Sequence, residues 1–403
     1  MNESILIDDF GPLPVHRPAT VADLCRLVKN AAATGQGVYP VGGRTMLDIG
    51  LPPIKPGIAL NTTALNQVID YPARDMTITV QAGITMARLQ ETLAAEGQWL
   101  PVDVPDPEHA TLGGAIALNI SGPRRFGYGT LRDYVIGISF VTDDGDEVKA
   151  GGRVVKNVAG YDLMKLQVGA VGTLGVITQL TLKVKPKPTE SLLVTFHCET
   201  ADLGRILDLL HASRSRPCAV ELLNRAAWQA GGINPLDYPS EWVLAVGLEE
   251  KEATIDWQLA TLVAELNSAS VGNHAEISGL SATRVWRVLT DLQARPESKL
   301  IWKANVLPSK AAELAHALSR KESDLIHAEG LNGIIWVHSA EGSRFEPPPI
   351  AGANFTVRRC PTAWKKDLPV WGRPTNDRDL MRRVKQTLDP RNVFNPGRLF
   401  GDL

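Results

Sequence analysis

Three glycine-rich segments in the first half of the chain have the composition of phosphate-binding loops. The first is YPVGGRTMLDIG (Tyr39–Gly50), the second runs from Asp106 to Gly137, and the third from Asn157 to Thr178. Glycine lets a backbone approach a ligand closely, because no Cβ intervenes, and the N–H groups can then bond phosphate oxygens without a cationic side chain. Alone, the first segment matches neither the GxGxxG motif nor a Walker loop, and it also fits an ordinary turn at the end of a strand. Three such segments together favour a long diphosphate-bearing ligand lying between two small subdomains.

Composition narrows the classes of function that remain. The 403 residues suffice for two or three domains with ample core. The 42 basic and 44 acidic residues give a net charge of −2, so no global attraction to nucleic acid is expected. No run of about 18 apolar residues predicts a membrane-spanning helix.

The four cysteines indicate neither a metal cluster nor a disulfide framework. Cys25, Cys198, Cys218 and Cys360 are scattered, and no pair has CxxC spacing. Lone thiols fit core packing in a reducing compartment. The N-terminal residues MNESILIDDFGPLP lack the basic and apolar regions of a signal peptide, so a cytoplasmic location is expected.

The elements around the glycine segments are predicted from capping residues and periodicity. Residues 20–34 predict a helix, with Thr20 as N-cap, an apolar stripe, and Gly35 as the stop. Strands are predicted at GVYPVGG and MTITVQAG, and a helix at TMARLQETLAAEG. Residues 134–152 predict a hairpin with Asp144-Gly145 at its turn, and residues 173–188 a long alternating strand.

After the KPKP boundary the pattern predicts a second α+β domain. Helical and strand-like stretches alternate there, which is typical of an antiparallel sheet backed by helices. The predicted strands lie near 192–198, 219–223, 242–249, 299–306, 324–329, 333–339 and 354–360, and the predicted helices at 201–213, 251–267, 281–293 and 309–320. A proline-rich loop at 341–354 and a last helix at 377–388 precede the tail DPRNVFNPGRLFGDL.

The order and spacing of the glycine segments resemble the FAD-binding domain of the vanillyl-alcohol oxidase/p-cresol methylhydroxylase (VAO/PCMH) superfamily over about residues 15–188. PVGGRTMLDIG resembles its first pyrophosphate loop, ATLGGAIALNISGPRRFGYGTLRDYVIG its second, and VGTLGVIT its flavin-side strand. More narrowly, residues 151–188 and the tail DPRNVFNPGR are similar to the FAD-binding subunit of bacterial glycolate oxidase (glycolate dehydrogenase), the smaller of two flavin subunits.

The resemblance implies an α+β fold with three regions. These are a two-subdomain FAD-binding domain (1–188), an antiparallel-sheet-plus-helices cap domain (189–345), and a proline-rich loop, helix and tail packing back toward the flavin domain (346–403). It implies FAD contacts from Pro40, Val41, Gly42, Gly43, Arg44, Thr45, Leu112, Gly113, Gly114, Asn119, Gly122, Gly172, Thr173, Gly175, Val176 and Ile177. Some superfamily members attach FAD through a histidine in the first loop. This chain has Arg44 and no histidine or cysteine there, so non-covalent FAD is expected.

The resemblance also suggests oxidation of a 2-hydroxy acid, which requires a cation for the carboxylate, a base for the hydroxyl proton and flavin as hydride acceptor. Catalytic relatives carry an HxxGDGNxH-like segment. The nearest match here, IHAEGLNGIIWVH (Ile326–His338), keeps His327 but lacks the Gly-Asp-Gly core and the closely spaced second histidine. His327 and His338 therefore also fit ordinary hairpin hydrogen bonds, and the catalytic residues stay unknown.

Several further residues are candidates for a functional or a structural role. His109 could touch flavin or be solvated, Arg124 and Arg125 could bind phosphate or a partner or be solvated, and Tyr161 with Asp162 could cap a helix. Arg398 could reach the flavin or form a salt bridge of the tail, while Trp286, Trp302 and Trp336 are expected in the core.

The resemblance leads to two hypotheses about function, one catalytic and one structural. The first is an FAD-bearing subunit of glycolate dehydrogenase, assembled with a larger FAD-containing catalytic subunit and an iron–sulfur subunit, and peripheral to the membrane only through them. The second is a flavin-binding assembly subunit that does not itself turn over substrate. A stand-alone dehydrogenase of another 2-hydroxy acid, such as D-lactate, is a third alternative.

Overall fold

The computed structural model describes residues 3–152, 162–232, 240–269, 271, 274–295, 297–321, 323–339 and 344–403. Its internal contacts divide the chain into two units. The first comprises Met1–Ser121, Thr130–Lys187 and Pro374–Leu403, and the second comprises Gly122–Gly129 and Pro188–Arg373.

The first unit contains two main sheets and a short ribbon. A four-stranded sheet has the order β1-β2-β4-β3, with β4 parallel to both neighbours, and a five-stranded antiparallel sheet has the order β5-β6-β10-β8-β9. The strands are β1 Ser4–Ile7, β2 Phe10–His16, β3 Gly37–Val41, β4 Gly57–Asn61, β5 Val68–Asp70, β6 Thr77–Gln81, β7 Gln98–Trp99, β8 Val135–Val141, β9 Glu147–Gly151, β10 Val176–Lys183 and β11 Lys185–Pro186, of which β7 and β11 form the ribbon. The helices are α1 Val21–Ala33, α2 Met86–Ala94, α3 Leu112–Leu118, α5 Leu131–Tyr134, α6 Met164–Gln167 and α12 Arg378–Leu388.

The predicted capping of α1 is confirmed. The Thr20 side chain accepts from Asp23 N, and Gly35 has a φ of +70°, which only glycine adopts without strain. Leu24, Val28 and Ala31 form the buried stripe of α1 and pack in one core cluster.

The C-terminal tail is an integral part of the first unit. Val38 N donates to Val393 O (2.7 Å), and Asn395 N donates to Val38 O (2.9 Å), so the tail extends the first sheet beside β3. Phe394 is fully buried in the same core cluster as α1. The tail is thus tied directly to the strand that leads into the first glycine segment.

The second unit is an eight-stranded antiparallel sheet with the order β15-β12-β14-β13-β17-β18-β16-β19. Its strands are β12 Glu190–Cys198, β13 Ala219–Asn224, β14 Trp242–Glu250, β15 His274–Ser278, β16 Leu300–Asn305, β17 Leu325–Glu329, β18 Ile334–Ser339 and β19 Asn354–Arg359. Its helices are α4 Arg125–Tyr128, α7 Leu203–Ala212, α8 Arg225–Ala230, α9 Glu252–Ser268, α10 Gly279–Asp291 and α11 Ala311–Leu318.

Side-chain alternation gives that sheet two different faces. Alternate apolar residues of the central strands pack with α7, α9 and α11 in the largest core cluster. On the opposite face, α8 and α10 cover β12, β13 and β14, and Trp286 packs there. Trp302 lies in the first cluster and Trp336 on the opposite face, so all three expected core tryptophans are buried.

The structure differs from the sequence-based expectations at several elements. α3 forms where a glycine loop was expected, and the hairpin β1–β2 and strand β15 were not predicted. The alternating strand at 173–188 is shorter, because regular pairing runs from Val176 to Lys183, and Lys185 and Pro186 pair with β7 instead. β19 pairs with β16, so residues 346–373 group with the second unit rather than with the tail.

Candidate functional site

All three glycine segments line one cleft in the first unit. The cleft has a volume of about 1010 Å³, including the part open to solvent. Twelve of the sixteen residues expected to contact FAD line it: Pro40, Val41, Gly42, Gly43, Arg44, Thr45, Gly113, Gly114, Gly172, Gly175, Val176 and Ile177. The fold therefore brings together segments that are far apart in sequence.

The first segment presents unused backbone donors to this cleft. β3 ends at Val41, and in the described part of the chain no acceptor takes the N–H groups of Gly42, Gly43, Arg44 and Thr45. Arg44 has a φ of +64°, which turns the chain sharply after the two glycines. Four successive free N–H groups in a turn suit a polyanionic group such as a pyrophosphate.

The glycines of the first segment are required by protein packing as well as by a ligand. A Cβ on Gly42 would lie 2.1 Å from Thr111 Oγ1, and one on Gly43 would lie 1.8 Å from His109 O. The two pyrophosphate-type segments are therefore in direct contact. Gly42 and Gly43 let them approach each other, which the ligand-only interpretation of these glycines overlooks.

The second segment forms the short helix α3, and its first amides are already used. Leu112 N donates to Ile84 O (2.9 Å), Gly113 N to Ala82 O (2.8 Å), and Gly114 N to the N-cap Thr111 Oγ1 (3.3 Å). These N–H groups are not available to phosphate oxygens, contrary to the expectation for a glycine loop.

Gly114 instead contributes space. Among the described residues, and apart from the backbone of α3 itself, a Cβ there would meet Thr111 Oγ1 at 3.2 Å, whereas a Cβ on Gly113 would meet Ala82 Cβ at 2.9 Å. Gly114 also lines the cleft. The lack of a side chain at Gly114 therefore leaves room for a ligand. The lack of a side chain at Gly113 lets Ala82 pack closely against it.

The third segment is fixed by its own unusual backbone and by the tail. Val171, Gly172 and Gly175 have φ values of +56°, +63° and +152°. Asn395 Nδ2 donates to Val171 O (2.6 Å), and Lys385 Nζ donates to Thr173 O (2.9 Å). The side of the cleft formed by this segment thus depends on Asn395 of the tail and on Lys385 of α12.

Four expected FAD contacts do not line the cleft. Leu112 is fully buried in the core, and Thr173 is buried with its hydroxyl donating to Ala170 O (2.7 Å). Asn119 is the left-handed C-cap of α3, and its buried Oδ1 has no partner in the described residues. Gly122 groups with the second unit.

Sequence reasoning missed several residues that line the cleft. Thr62, Thr111 and Asn395 are the polar ones, accompanied by apolar neighbours such as Met46 and Leu47, while Arg398, a sequence candidate, also lines the cleft. Thr111 could have been found from the spacing of an N-cap before a short apolar helix, T-L-G-G-A-I. Asn395 carries no local signal, because its position depends on pairing with β3.

A buried polar cluster lies on one face of the sheet in the second unit. His327 Nε2 lies 2.6 Å from Glu221 Oε2, and both side chains are 1% exposed. Burial lowers the pKa of His327 to about 4. His338 Nδ1 lies 3.0 Å from Ser298 Oγ, and burial lowers the pKa of His338 to about 3. Both histidines are thus neutral and held inside the sheet's own network.

Neighbouring charged groups in that cluster are also perturbed. Burial, reinforced by Glu221, raises the pKa of Glu329 to about 8, and Trp336 Nε1 donates to Glu329 Oε1 (3.2 Å). Burial, together with the positive charge of Arg358, lowers the pKa of Lys303 to about 7. Near neutral pH the cluster therefore holds a protonated carboxyl and a lysine that is partly deprotonated.

The other sequence candidates have mainly structural contacts. His109 is exposed, with Nδ1 2.8 Å from Asp106 Oδ1. Arg124 is not solvated: it pairs with the buried Glu249 (2.8 Å) and lies 3.8 Å from the Trp286 ring centroid. α6 has Leu163 at its N-cap without a side-chain cap, so Asp162 does not cap it, and Tyr161 lies outside the described residues.

Comparison with known proteins identifies the cofactor of this chain. The sequence profile of the FAD binding domain family matches residues 12–151, and that of the C-terminal domain of FAD linked oxidases matches residues 372–399. Two separate parts of the chain thus resemble FAD-linked oxidases. FAD is its cofactor, and the chain is an FAD-dependent oxidoreductase.

Curated relatives of this flavoprotein align with nearly its whole length. Glycolate oxidase subunit GlcD of Bacillus subtilis is 25% identical and covers 96% of this chain and 89% of its own. A D-lactate dehydrogenase of Archaeoglobus fulgidus is 26% identical, with 96% and 90% coverage. Glycolate oxidase subunit GlcE of Escherichia coli is 39% identical over 34% of this chain and 39% of its own.

The fold is that of VAO/PCMH-type FAD-binding proteins. A 4-ethylphenol oxidase from Gulosibacter chungangensis superposes with a TM-score of 0.69 at 14% identity, covering 95% of this chain and 88% of the other. The α+β architecture expected from the resemblance is therefore confirmed.

The residues of the cleft fit FAD. Free amides at Gly42–Thr45 supply donors for a pyrophosphate, and Gly114 leaves open space on the opposite side. Among the described residues, no group of three or more His, Cys, Asp or Glu could hold a metal ion. No described helix is long and apolar enough to cross a membrane.

Proposed function

We propose that this chain is an FAD-bearing subunit of a glycolate dehydrogenase (glycolate oxidase) complex. It takes part in oxidising glycolate to glyoxylate, and the electrons pass through flavin to a partner iron–sulfur subunit. The observation that carries the proposal is its similarity to two glycolate oxidase subunits, one along nearly the whole chain and one at 39% identity over a shorter stretch.

The reaction removes a hydride from the α-carbon and a proton from the hydroxyl of a 2-hydroxy acid. FAD, when bound, supplies the two-electron acceptor. The protein must then supply a cation for the carboxylate and a base for the proton. Relatives named D-lactate dehydrogenase and D-2-hydroxyglutarate dehydrogenase support the same substrate class.

The burial and the shifted pKa values of His327 and Glu329 support a subunit that depends on partners for catalysis. His327 is fully buried and paired with Glu221, and its lowered pKa makes it a weak base. Glu329, with its raised pKa, stays protonated at neutral pH. Neither group is a ready proton acceptor, so a larger catalytic subunit would supply the efficient base.

The number and spacing of the cysteines also support a subunit that works within a complex. The chain has four cysteines without CxxC spacing, which does not suit an iron–sulfur ligand set. A one-electron relay therefore belongs to another chain of the complex. Such a complex would be peripheral to a membrane through its partners.

A stand-alone D-2-hydroxy-acid dehydrogenase is the second candidate, and one observation favours it. Within the described residues, Lys303 and Arg358 have no hydrogen-bond or ion-pair partner and both lie beside the Trp336 ring, at 5.6 and 5.7 Å. Two unpaired cations are the groups that a substrate carboxylate needs. A non-catalytic flavin-binding assembly subunit is the remaining alternative.

Reconstitution separates these functions. The chain is purified alone and after co-expression with the genes adjacent to its own, and dye reduction is measured with glycolate, D-lactate and D-2-hydroxyglutarate. The proposal expects glycolate-dependent reduction at a far higher rate in the complex. Equal rates for the isolated chain would favour the stand-alone enzyme. A complex whose rate is unchanged by removing FAD from this chain alone would favour the assembly role.

A further inference from the structure

The tail residue Arg398 donates hydrogen bonds to several carbonyl groups at the end of the first glycine segment. Its guanidinium Nη1 donates to Leu51 O (2.7 Å) and to Asp8, and Nη2 donates to Leu47 O and Ile49 O. The side chains of Arg398 and Asp8 are only 5% and 3% exposed. All four Nη protons therefore have acceptors, three of them carbonyls of one short loop.

In this arrangement the carbonyl groups and the amide groups of the loop have different environments. The carbonyls at 47, 49 and 51 accept from the arginine, while the amides at 42–45 have no acceptor among the described residues and border the cleft. A buried cation that binds three carbonyls at once restricts the loop to one conformation, because an unmade bond would leave a buried acceptor unsatisfied. The loop needs this restraint, since Arg44 has a left-handed backbone.

We propose that Arg398 is a positioning residue for the FAD pyrophosphate. It acts by fixing the first glycine segment through the carbonyl groups of that loop, with Asp8 of the β1–β2 hairpin as its counter-ion. Because FAD affinity and tail docking are coupled, bound FAD stabilises the docked tail by the same factor by which the docked tail strengthens FAD binding. The inference concerns FAD binding and does not depend on which hydroxy acid is oxidised.

The test compares Arg398→Lys and Arg398→Met with a matched tail variant, Arg391→Met. Arg391 anchors the tail to Asp143 (2.9 Å) and Asp144 (2.6 Å) at the β8–β9 turn and does not line the cleft. FAD dissociation constants are measured by flavin fluorescence on apo protein. We expect at least a tenfold weaker affinity for Arg398→Lys, a greater loss for Arg398→Met, and less than a threefold change for Arg391→Met.

Hydrogen exchange of the apo protein distinguishes positioning from general damage. In Arg398→Lys, which keeps the charge next to Asp8, amide exchange should rise in residues 42–51 and stay unchanged in β10. A uniform rise across the first unit would show that Arg398 is merely structural. FAD affinity in Arg398→Lys within threefold of the unaltered protein would also overturn the proposal.

Discussion

Gly114 is the residue whose role in cofactor binding can be isolated most cleanly. Gly114→Val should lower FAD affinity at least tenfold, because its side chain would enter the cleft, while the apo protein should unfold at nearly the same temperature. Gly114 is helical, and its Cβ would lie 3.2 Å from Thr111 Oγ1, a tight contact that a shift of a few tenths of an ångström at this hydroxyl relieves. Flavin content and thermal unfolding of the apo protein are measured together.

Gly113→Val is the matched control for this prediction. Its Cβ would press on Ala82, so unfolding temperature and flavin content should fall together. If Gly114→Val damages folding as much as Gly113→Val does, then Gly114 is a packing glycine.

Glu329 should make the stability of the second unit depend on pH. Its pKa is raised from 4.5 to about 8 in the folded protein, so the folded state keeps a proton that the unfolded state loses. The stabilisation from this proton is complete below about pH 4.5 and is lost as pH rises toward 8, at up to about 1.4 kcal/mol per pH unit. Glu329→Gln cannot ionise, so its unfolding temperature should rise relative to the unaltered protein between pH 5 and 8. Parallel curves across that range would contradict the assigned protonation state.

Arg44 occupies the part of the first loop where some superfamily members have a histidine that attaches FAD. Arginine is not a nucleophile, so the cofactor should be held without a covalent bond. Precipitating the purified holoprotein with acid and centrifuging it should leave the yellow colour in the supernatant. Colour retained in the protein pellet would show a covalent link.

At the scale of elements, α12 should be essential to the first unit through Lys385. This buried lysine donates to Thr173 O (2.9 Å) and Phe394 O (2.9 Å) and pairs with Asp389. Lys385→Met would leave Asp389 as an unpaired buried charge and should cost about 3–5 kcal/mol of unfolding free energy. Urea unfolding of the apo protein measures this loss.

Arg382→Met provides the comparison on the same helix. Arg382 pairs with Asp402 at the surface, where the side chains are 29% and 61% exposed, and an exposed pair contributes about 0–1 kcal/mol. Similar losses for the two variants would show that α12 is held by general packing rather than by Lys385.

Elements with local signals could be predicted from the sequence, and elements that depend on distant pairing could not. The cap at Thr20 and the turn at Asp144-Gly145 are local, and both occur as expected. β15 depends on pairing with β12, and the tail strand on pairing with Val38, so neither has a local signature. Within the cleft, the glycines were found from composition, but their division into ligand-facing and packing positions required the contacts of His109, Thr111 and Ala82.

At the scale of the whole molecule, the first unit has a cofactor cleft and the second unit has a buried polar cluster with its own internal contacts. Among its described residues, the first unit has the free amides and the open space that FAD requires. The second unit holds His327 and His338 in internal contacts and keeps Glu329 protonated. A chain of this kind should bind flavin well and turn over substrate slowly without its partners, because a missing catalytic group costs orders of magnitude in rate.

Anaerobic mixing of the isolated, FAD-loaded chain with glycolate tests this account most directly. The absorbance of oxidised flavin is followed in a stopped-flow instrument, with the reconstituted complex as the positive control. The account predicts slow or negligible bleaching for the isolated chain and rapid bleaching for the complex. Complete bleaching of the isolated chain within seconds would show a self-sufficient active site and contradict the dependence on partner subunits.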